Sequence, residues 1–285
     1  MDADGVARAV AAVKSAAAAL DLPADDVTII HNSNKLALRL LPCDVFARVA
    51  PIGQEVAALE VELAQELVAT EAPVAALEAR VEPRVYQGDG FAVTLWTYYD
   101  ERASDRLSPA DYAHALERLH AGMRNVDVAT PHVTDRVDEA ARLVANRERT
   151  PALDGAGREL VLDTLQSVRQ KIDRGGAAEQ LIHGEPHPGN VLNTADGPLF
   201  IDLETCCRGP VEFDLAHVPR GVSEHYSEVD QDLLSECRRM VLAMVAAWRW
   251  DAHDQFPDGL RHGRAILDLL GHGPPWPTLG ELAST

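Results

Sequence analysis

The most constraining part of this sequence is a polar segment from Leu181 to Ala216 that is interrupted by two short apolar runs. The runs are Val191-Leu192 and Leu199-Phe200-Ile201, and the Asn, Thr, Ala, Asp and Gly between them are typical of a tight turn. The pattern predicts a β-hairpin. Such a hairpin would bring the loop that ends at Asn190 close to Asp202, so that polar side chains converge.

Converging Asn and Asp oxygens favour a divalent cation, because Mg²⁺ binds a few protein oxygens and completes its octahedron with water and phosphate oxygens. Asn190 and Asp202 are the candidate metal ligands. Glu204 is two residues further on, so on a strand it would face the same side and serve a second metal. Glu185 precedes Asn190 by five residues and is placed to orient and deprotonate an acceptor hydroxyl. The layout is typical of a phosphoryl-transfer site.

Three motifs in this segment resemble those of the aminoglycoside phosphotransferase and choline kinase-like family, small-molecule relatives of the protein kinases. The family pattern H-G-D-x-x-x-x-N stands here as HGEPHPGN from His183 to Asn190. The segments I-D-x-[DE] and G-P-x-x-x-D-L-A follow as Ile201 to Glu204 and Gly209 to Ala216. The order and spacing agree with the family, and one position departs from it, because the catalytic Asp of the pattern is Glu185.

The resemblance implies a role for each of these residues. Glu185, Asn190 and Asp202 would be catalytic, with ATP or GTP and Mg²⁺ as cofactors. Asp214 would accept hydrogen bonds from the catalytic loop and His183 would pack beneath it, so both would be structural. Positioning matters more than basicity in a loose phosphoryl-transfer transition state, so the loop must absorb the extra methylene of Glu185.

The first hundred residues contain short β-rich runs that predict an antiparallel meander over Val27–Ile30, Lys35–Leu41 and Val45–Ala50. By the resemblance, the first turn of this sheet covers the nucleotide phosphates with backbone N–H groups. Here that turn is Asn32-Ser33-Asn34, which has no glycine. Asn tolerates left-handed backbone angles, so a phosphate-binding turn and a plain hairpin turn both remain open.

The other nucleotide contacts implied by the resemblance lie further along the same region. Arg48 occupies the strand position of the family's phosphate-binding lysine, although its fork is not equivalent to an ammonium. The helix predicted over Gln54–Thr70 would supply the carboxylate that pairs with this cation, with Glu60 as the first choice and Glu62 as the second. The nucleobase would contact backbone groups near Trp96 and Tyr98.

Helical patterns dominate beyond Ser108-Pro109. The resemblance implies an α+β, bilobal, protein kinase-like fold, and these helical patterns agree with it. We expect a small nucleotide-binding N-lobe of antiparallel sheet over residues 1–97 and a mostly helical C-lobe, catalytic and substrate-binding, over residues 98–285.

The net charge of −19 and pI of about 4.9 argue against a nucleic-acid partner, whose phosphates would be repelled, and are compatible with a cationic small-molecule substrate. The four cysteines show no C-x-x-C spacing and are expected to be reduced thiols. The sequence shows neither a signal peptide nor a membrane-length apolar run, so we expect a cytoplasmic protein with no membrane partner. Monomer and dimer remain open.

Several functions remain open at this stage. The leading prediction is transfer of the γ-phosphoryl group to an aminoglycoside or another amine-bearing antibiotic. A metabolic kinase for a sugar, a choline-like alcohol or an amino alcohol is the second. A catalytically weak nucleotide-binding pseudokinase is the third, because Glu185, Arg48 and the glycine-free turn all depart from the family. A zinc site at His183, Glu185 and His187 is disfavoured by the prolines between them, which oppose a regular strand.

Overall fold

The computed structural model describes residues 1–33, 35–53, 56–102 and 107–282. The chain forms two compact units, and each draws on several stretches of sequence. Unit 1 comprises Met1–Leu107, Ala121–Val128 and Asn190–Glu204, and unit 2 comprises Ser108–His120, Ala129–Gly189 and Thr205–Thr285.

Unit 1 is built on a five-stranded antiparallel sheet with the order β1-β2-β3-β5-β4. The strands are β1 (Ala24–Asn32), β2 (Leu36–Pro42), β3 (Val45–Pro51), β4 (Tyr86–Gly88) and β5 (Phe91–Thr97). The predicted meander is confirmed, since β1, β2 and β3 follow one another as neighbours in the sheet.

Strand alternation divides the side chains of this sheet between two faces. On one face Leu36, Leu38 and Leu40 of β2 join alternate residues of β3 in a fully buried core. Helix α1 (Ala3–Ala19) closes this core with its alanine and valine side chains, and the Asp2 carboxylate caps its start by accepting from the Gly5 N–H (2.8 Å). The opposite face carries both polar and apolar side chains.

The predicted hairpin is confirmed as β7 (Val191–Thr194) paired with β8 (Gly197–Phe200), and it belongs to unit 1. The Phe200 N–H donates to the Pro73 carbonyl (2.7 Å), and the Ala75 N–H donates to the Phe200 carbonyl (3.0 Å). Because backbone bonds tie the hairpin to the chain beyond helix α2 (Val56–Ala69), the units do not follow a single cut after residue 97.

Unit 2 is mostly helical. It contains a small antiparallel pair, β6 (Gln180–Ile182) with β9 (Cys207–Gly209), among the helices. The helices of unit 2 are the start of α3 (Pro109–Met123), then α4 (Val133–Ala145), α5 (Gly155–Gly175), α6 (Val211–His217), α7 (Arg220–Ser223), α8 (Gln231–Arg249), α9 (Gly259–His272) and α10 (Leu279–Leu282).

The α+β class of the fold is confirmed by the sheet of unit 1 and the helices of unit 2. The segment after residue 270 contains the last residues of α9 and the short α10. Across the described ranges, none of the helices combines the length and apolarity needed to cross a bilayer.

Candidate active site

The face of the unit 1 sheet that lies opposite the α1 core carries the candidate nucleotide-binding groups. Arg48 on β3 lies opposite Ala37 of β2 and Thr94 of β5. Lys35 precedes Ala37 by two residues, so it lies on the same face and diagonally across from Arg48. Ala37, whose side chain is small, lies directly opposite Arg48 in the strand pairing and two residues after Lys35.

Helix α2 supplies a buried carboxylate that both cations share. One Glu60 oxygen, Oε1, accepts from the Arg48 guanidinium (2.5 Å), and the other, Oε2, accepts from Lys35 Nζ (3.0 Å). The Glu60 side chain is only 2% exposed. Glu62, the second choice from the sequence, is exposed on the same helix. Glu60 is therefore the member of this pair that the structure brings to Arg48.

Two acids that follow β8 complete the cluster. Arg48 donates to Asp202 Oδ1 (2.8 Å), and Lys35 donates to a Glu204 carboxylate oxygen. Asp202 has a φ of +66°, a left-handed conformation that Asp adopts more readily than most residues. The Asn190 carbonyl accepts from the N–H of Ile201 (3.0 Å), next in sequence to Asp202, so the hairpin brings Asn190 and Asp202 together as its two ends.

These acids form a donor set that fits a hard divalent cation. Glu60, Asp202 and Glu204 each offer a carboxylate oxygen, and the three oxygens lie within 4.8 Å of one another. Oxygen ligands are the ones that Mg²⁺ and Ca²⁺ prefer. We name the group formed by Lys35, Arg48, Glu60, Asp202 and Glu204 the ion-pair cluster.

The charges in the cluster stabilise one another. Burial alone would lower the pKa of Arg48, but Glu60 and then Asp202 outweigh burial and raise it. Burial raises the pKa of Glu60, while Arg48 and Lys35 act in the opposite direction. Arg48 therefore carries its charge at any working pH.

The predicted phosphate-covering turn is only partly described. Asn34 lies outside the described residues. Ser33 donates its N–H to the Lys35 carbonyl (3.1 Å), which closes the turn. The Asn32 side-chain oxygen accepts from the Met1 amino group (2.8 Å), and the Asn32 amide donates to the Met1 carbonyl (3.0 Å). The Asn32 side chain is thus held against the start of helix α1.

The two residues predicted near the nucleobase differ in their surroundings. Trp96 lies within β5 opposite Phe46, and its buried indole N–H donates to Thr94 Oγ1 (2.9 Å). Tyr98 directly follows the strand, and the guanidinium of Arg39 stacks on its ring 3.8 Å from the centroid. Both residues are near the end of β5, as their sequence positions require.

Unit 2 holds the loop that begins at His183. Asp214 on α6 is fully buried, and its carboxylate accepts from the backbone N–H groups of His183 (2.9 Å) and Gly184 (2.7 Å). The His120 ring nitrogen Nε2 bonds to the same carboxylate (2.9 Å), and its Nδ1 bonds to the Tyr226 hydroxyl (2.7 Å). Burial would raise the pKa of Asp214, but His120 and the neighbouring groups lower it below its usual range. Asp214 therefore fixes the loop as a charged carboxylate.

Gly184 is the one position of this loop where the backbone demands glycine. Its φ is +88°, and a Cβ built there would lie 2.1 Å from the Thr205 carbonyl oxygen. The Thr205 hydroxyl in turn donates to the His183 carbonyl (3.1 Å). The close approach of these two chain segments explains why the H-G dipeptide precedes Glu185.

Glu185 is engaged by an arginine that the motif does not contain. Arg136 of α4 donates to the Glu185 carboxylate and to the Gly184 carbonyl (3.2 Å). The Arg136 guanidinium also lies over the rings of Phe213 (5.8 Å) and Trp248 (5.9 Å). Burial would raise the pKa of Glu185, but Arg136 outweighs burial and lowers it. Glu185 is therefore held as a carboxylate in a fixed orientation.

His217, the last residue of α6, is a further titratable group near this loop. Burial lowers its pKa to about 4, so the ring is neutral at physiological pH. Among the described side chains, its Nε2 is one of the buried polar atoms with no hydrogen-bond partner.

Sequence reasoning missed Lys35, Arg136 and the contact between His120 and Asp214. The signal for Lys35 was present, since it lies two residues before a position opposite Arg48. No signal pointed to Arg136, because its partner lies 49 positions away in another element. No signal pointed to His120 as the partner of Asp214, because the two residues lie 94 positions apart.

Comparisons with known proteins agree with this architecture. Over most of their length, two solved structures share the fold. The amicoumacin kinase hAmiN, solved with AMP-PNP, Ca²⁺ and Ami, is 12% identical with a TM-score of 0.71, covering 97% of this chain and 98% of the other. A choline/ethanolamine kinase family protein from Mesorhizobium loti is 17% identical with a TM-score of 0.67, covering 95% and 98%.

One sequence relative is named as a kinase. The serine/threonine protein kinase RdoA of Salmonella typhimurium (strain LT2) is 27% identical over 217 residues, which is 67% of this chain and 66% of the relative. The chain thus spans slightly less than two thirds of the length of this relative. The family model described as "Phosphotransferase enzyme family" matches residues 31–256, which include strands β2 to β5, the hairpin and the loop at Glu185. The chain belongs to this phosphotransferase family.

Proposed function

We propose that the protein transfers the γ-phosphoryl group of ATP or GTP to an alcohol hydroxyl with the help of Mg²⁺. The observation that carries the proposal is the ion-pair cluster, in which Glu60 holds Arg48 beside the carboxylates of Asp202 and Glu204. A phosphoryl group carries negative charge while it is transferred. A fixed cation beside carboxylates that can bind a metal ion would stabilise that charge.

Each residue of the proposed site has one task. Arg48, fixed by Glu60, donates to phosphate oxygens of the nucleotide. Asp202 and Asn190 hold Mg²⁺, with Glu204 available for a second ion, and the metal supplies neutralisation of the phosphate charge. Glu185 accepts a hydrogen bond from the acceptor hydroxyl and orients it. Arg136 lowers the pKa of Glu185, which makes Glu185 a weaker base. Glu185 therefore contributes more by orienting the acceptor hydroxyl than by removing its proton.

The proposed acceptor is a hydroxyl of an amine-bearing small molecule, with aminoglycosides and other antibiotics first and sugars, choline-like alcohols and amino alcohols second. The names of the two structural neighbours and the net charge of −19 support a small, cationic acceptor. A protein serine or threonine is a second candidate, favoured by the name of the Salmonella relative. We further propose that the protein works in the cytoplasm.

The test is a mass-shift screen of the purified protein with Mg²⁺ and either ATP or GTP. Pools of aminoglycosides, peptide antibiotics, sugars and amino alcohols are run beside pools of bacterial proteins. A substrate gains one phosphoryl group with the wild type and with the exposed control Glu62→Gln, and the gain is lost in Asp202→Asn and Glu185→Ala. Nucleotide binding without a product in any pool contradicts the proposal and favours a nucleotide-binding pseudokinase.

A further inference from the structure

Lys35 is a second cation in the ion-pair cluster that the motifs of the chain do not explain. It lies between the turn after β1 and the first residue of β2, and its side chain is 12% exposed. Its ammonium donates to Glu60 (3.0 Å) and to Glu204. Lysine side chains are seldom buried unless they are paired, and here two carboxylates hold the mostly buried ammonium in place.

We propose that Lys35 is a second phosphate-binding cation, and that Lys35 and Arg48 together hold the nucleotide phosphates. The inference rests on the proposed function and names a residue for its nucleotide site. In this proposal the flexible ammonium of Lys35 and the fixed guanidinium of Arg48 have different parts in binding phosphate.

The contacts of the two cations are equivalent. Glu60 uses one oxygen for Arg48 and the other for Lys35. Each cation then reaches one of the acids after β8, Arg48 to Asp202 and Lys35 to Glu204. Glu60 therefore positions both cations on the same face of the sheet.

The charge of the cluster gives Lys35 a decisive part. Three carboxylates and two cations leave one net negative charge. One divalent ion bound by the acids would reverse this to one positive charge, which attracts a polyphosphate. Without Lys35 the loaded cluster would only reach neutrality. Lys35 therefore determines whether the loaded site attracts the phosphates of the nucleotide.

The chemistry of the two side chains divides the work. The guanidinium of Arg48 is a rigid fork, and two of its nitrogens are already fixed by Glu60 and Asp202. The ammonium of Lys35 is a compact charge on a flexible stem with three donors. It can keep its bond to Glu60 and exchange Glu204 for a phosphate oxygen.

The test measures binding of AMP-PNP and of adenosine by calorimetry with Mg²⁺ present, on the full chain. We expect Lys35→Gln to raise the Kd for AMP-PNP by about 10- to 100-fold, the range of one charge-assisted hydrogen bond. The Kd for adenosine, which has no phosphate, should change less than about twofold. Lys35→Arg should recover part of the affinity, and Lys14→Gln, a lysine on α1 of the same unit, should match the wild type.

Two results would overturn the inference. One is an unchanged Kd for AMP-PNP in Lys35→Gln, and the other is an equal loss for AMP-PNP and adenosine, which indicates a structural role. If Lys35→Gln does not fold, Lys35→Met, which keeps most of the apolar stem and lacks the charge, takes its place with the same expectations. A wild type that binds no nucleotide refutes the proposed function itself, whereas binding that is indifferent to Lys35 refutes only this inference.

Discussion

Replacing Arg136 by methionine should lower the free energy of unfolding by about 3 kcal/mol, because it leaves a mostly buried carboxylate without its cation. The Arg136 and Glu185 side chains are 15% and 25% exposed. Because both are partly exposed, the expected loss of stability is at the lower end of the range for breaking a buried ion pair. Methionine keeps an apolar stem near the rings of Phe213 and Trp248, so the cost arises from the charge.

Urea unfolding of the full chain at neutral pH measures this change. Arg142→Met on the same helix is the matched control, since Arg142 is exposed and its loss should change stability by less than about 0.5 kcal/mol. The double variant Arg136→Met/Glu185→Gln removes the unpaired charge as well. It should be about 1–2 kcal/mol more stable than Arg136→Met alone, and the single variant Glu185→Gln completes the double-mutant cycle that gives the coupling between the two groups.

The pH dependence gives an independent check on the same pair. The pKa of Glu185 is lowered in the folded state, so its contribution is present above the unfolded-state pKa of about 4.3 and is lost as the pH falls through the folded value. The difference in the free energy of unfolding between wild type and Arg136→Met should therefore become smaller in acid. A gap that is absent at neutral pH, or that does not change with pH, would refute the reasoning.

Three further substitutions test the loop and the hairpin by thermal unfolding. Gly184→Ala should cost more than about 2 kcal/mol, since its Cβ would meet the Thr205 carbonyl at 2.1 Å with a φ of +88°; an unchanged Tm would contradict this. Asp214→Asn should cost about 3 kcal/mol because buried donors lose a charged acceptor, and the product of the mass-shift screen should fall with it; full activity would exclude a positioning role. Phe200→Ala should cost about 3–5 kcal/mol, whereas the half-exposed Phe256→Ala should cost far less; equal costs would show that the hairpin is not part of the core of unit 1.

The sequence by itself determined the parts of this protein that depend on local spacing. Alternation of apolar residues predicted β2 and β3, and the turn residues between two apolar runs predicted the hairpin that brings Asn190 to Ile201. The three motifs predicted the phosphotransferase family, which the family model confirms over residues 31–256. These features could be read because a motif and a short-period pattern are contained in a few consecutive residues.

Only the tertiary structure decided which charged groups become partners. Glu60 and Glu62 look alike in the sequence, and helix packing alone buries the first beside Arg48 and leaves the second exposed. Lys35 meets Glu204 across 169 positions, and Arg136 meets Glu185 across 49. Periodicity tells which face of an element a side chain occupies, but the group opposite it depends on how distant elements pack. That packing is a property of the whole core, so no local stretch of sequence records it.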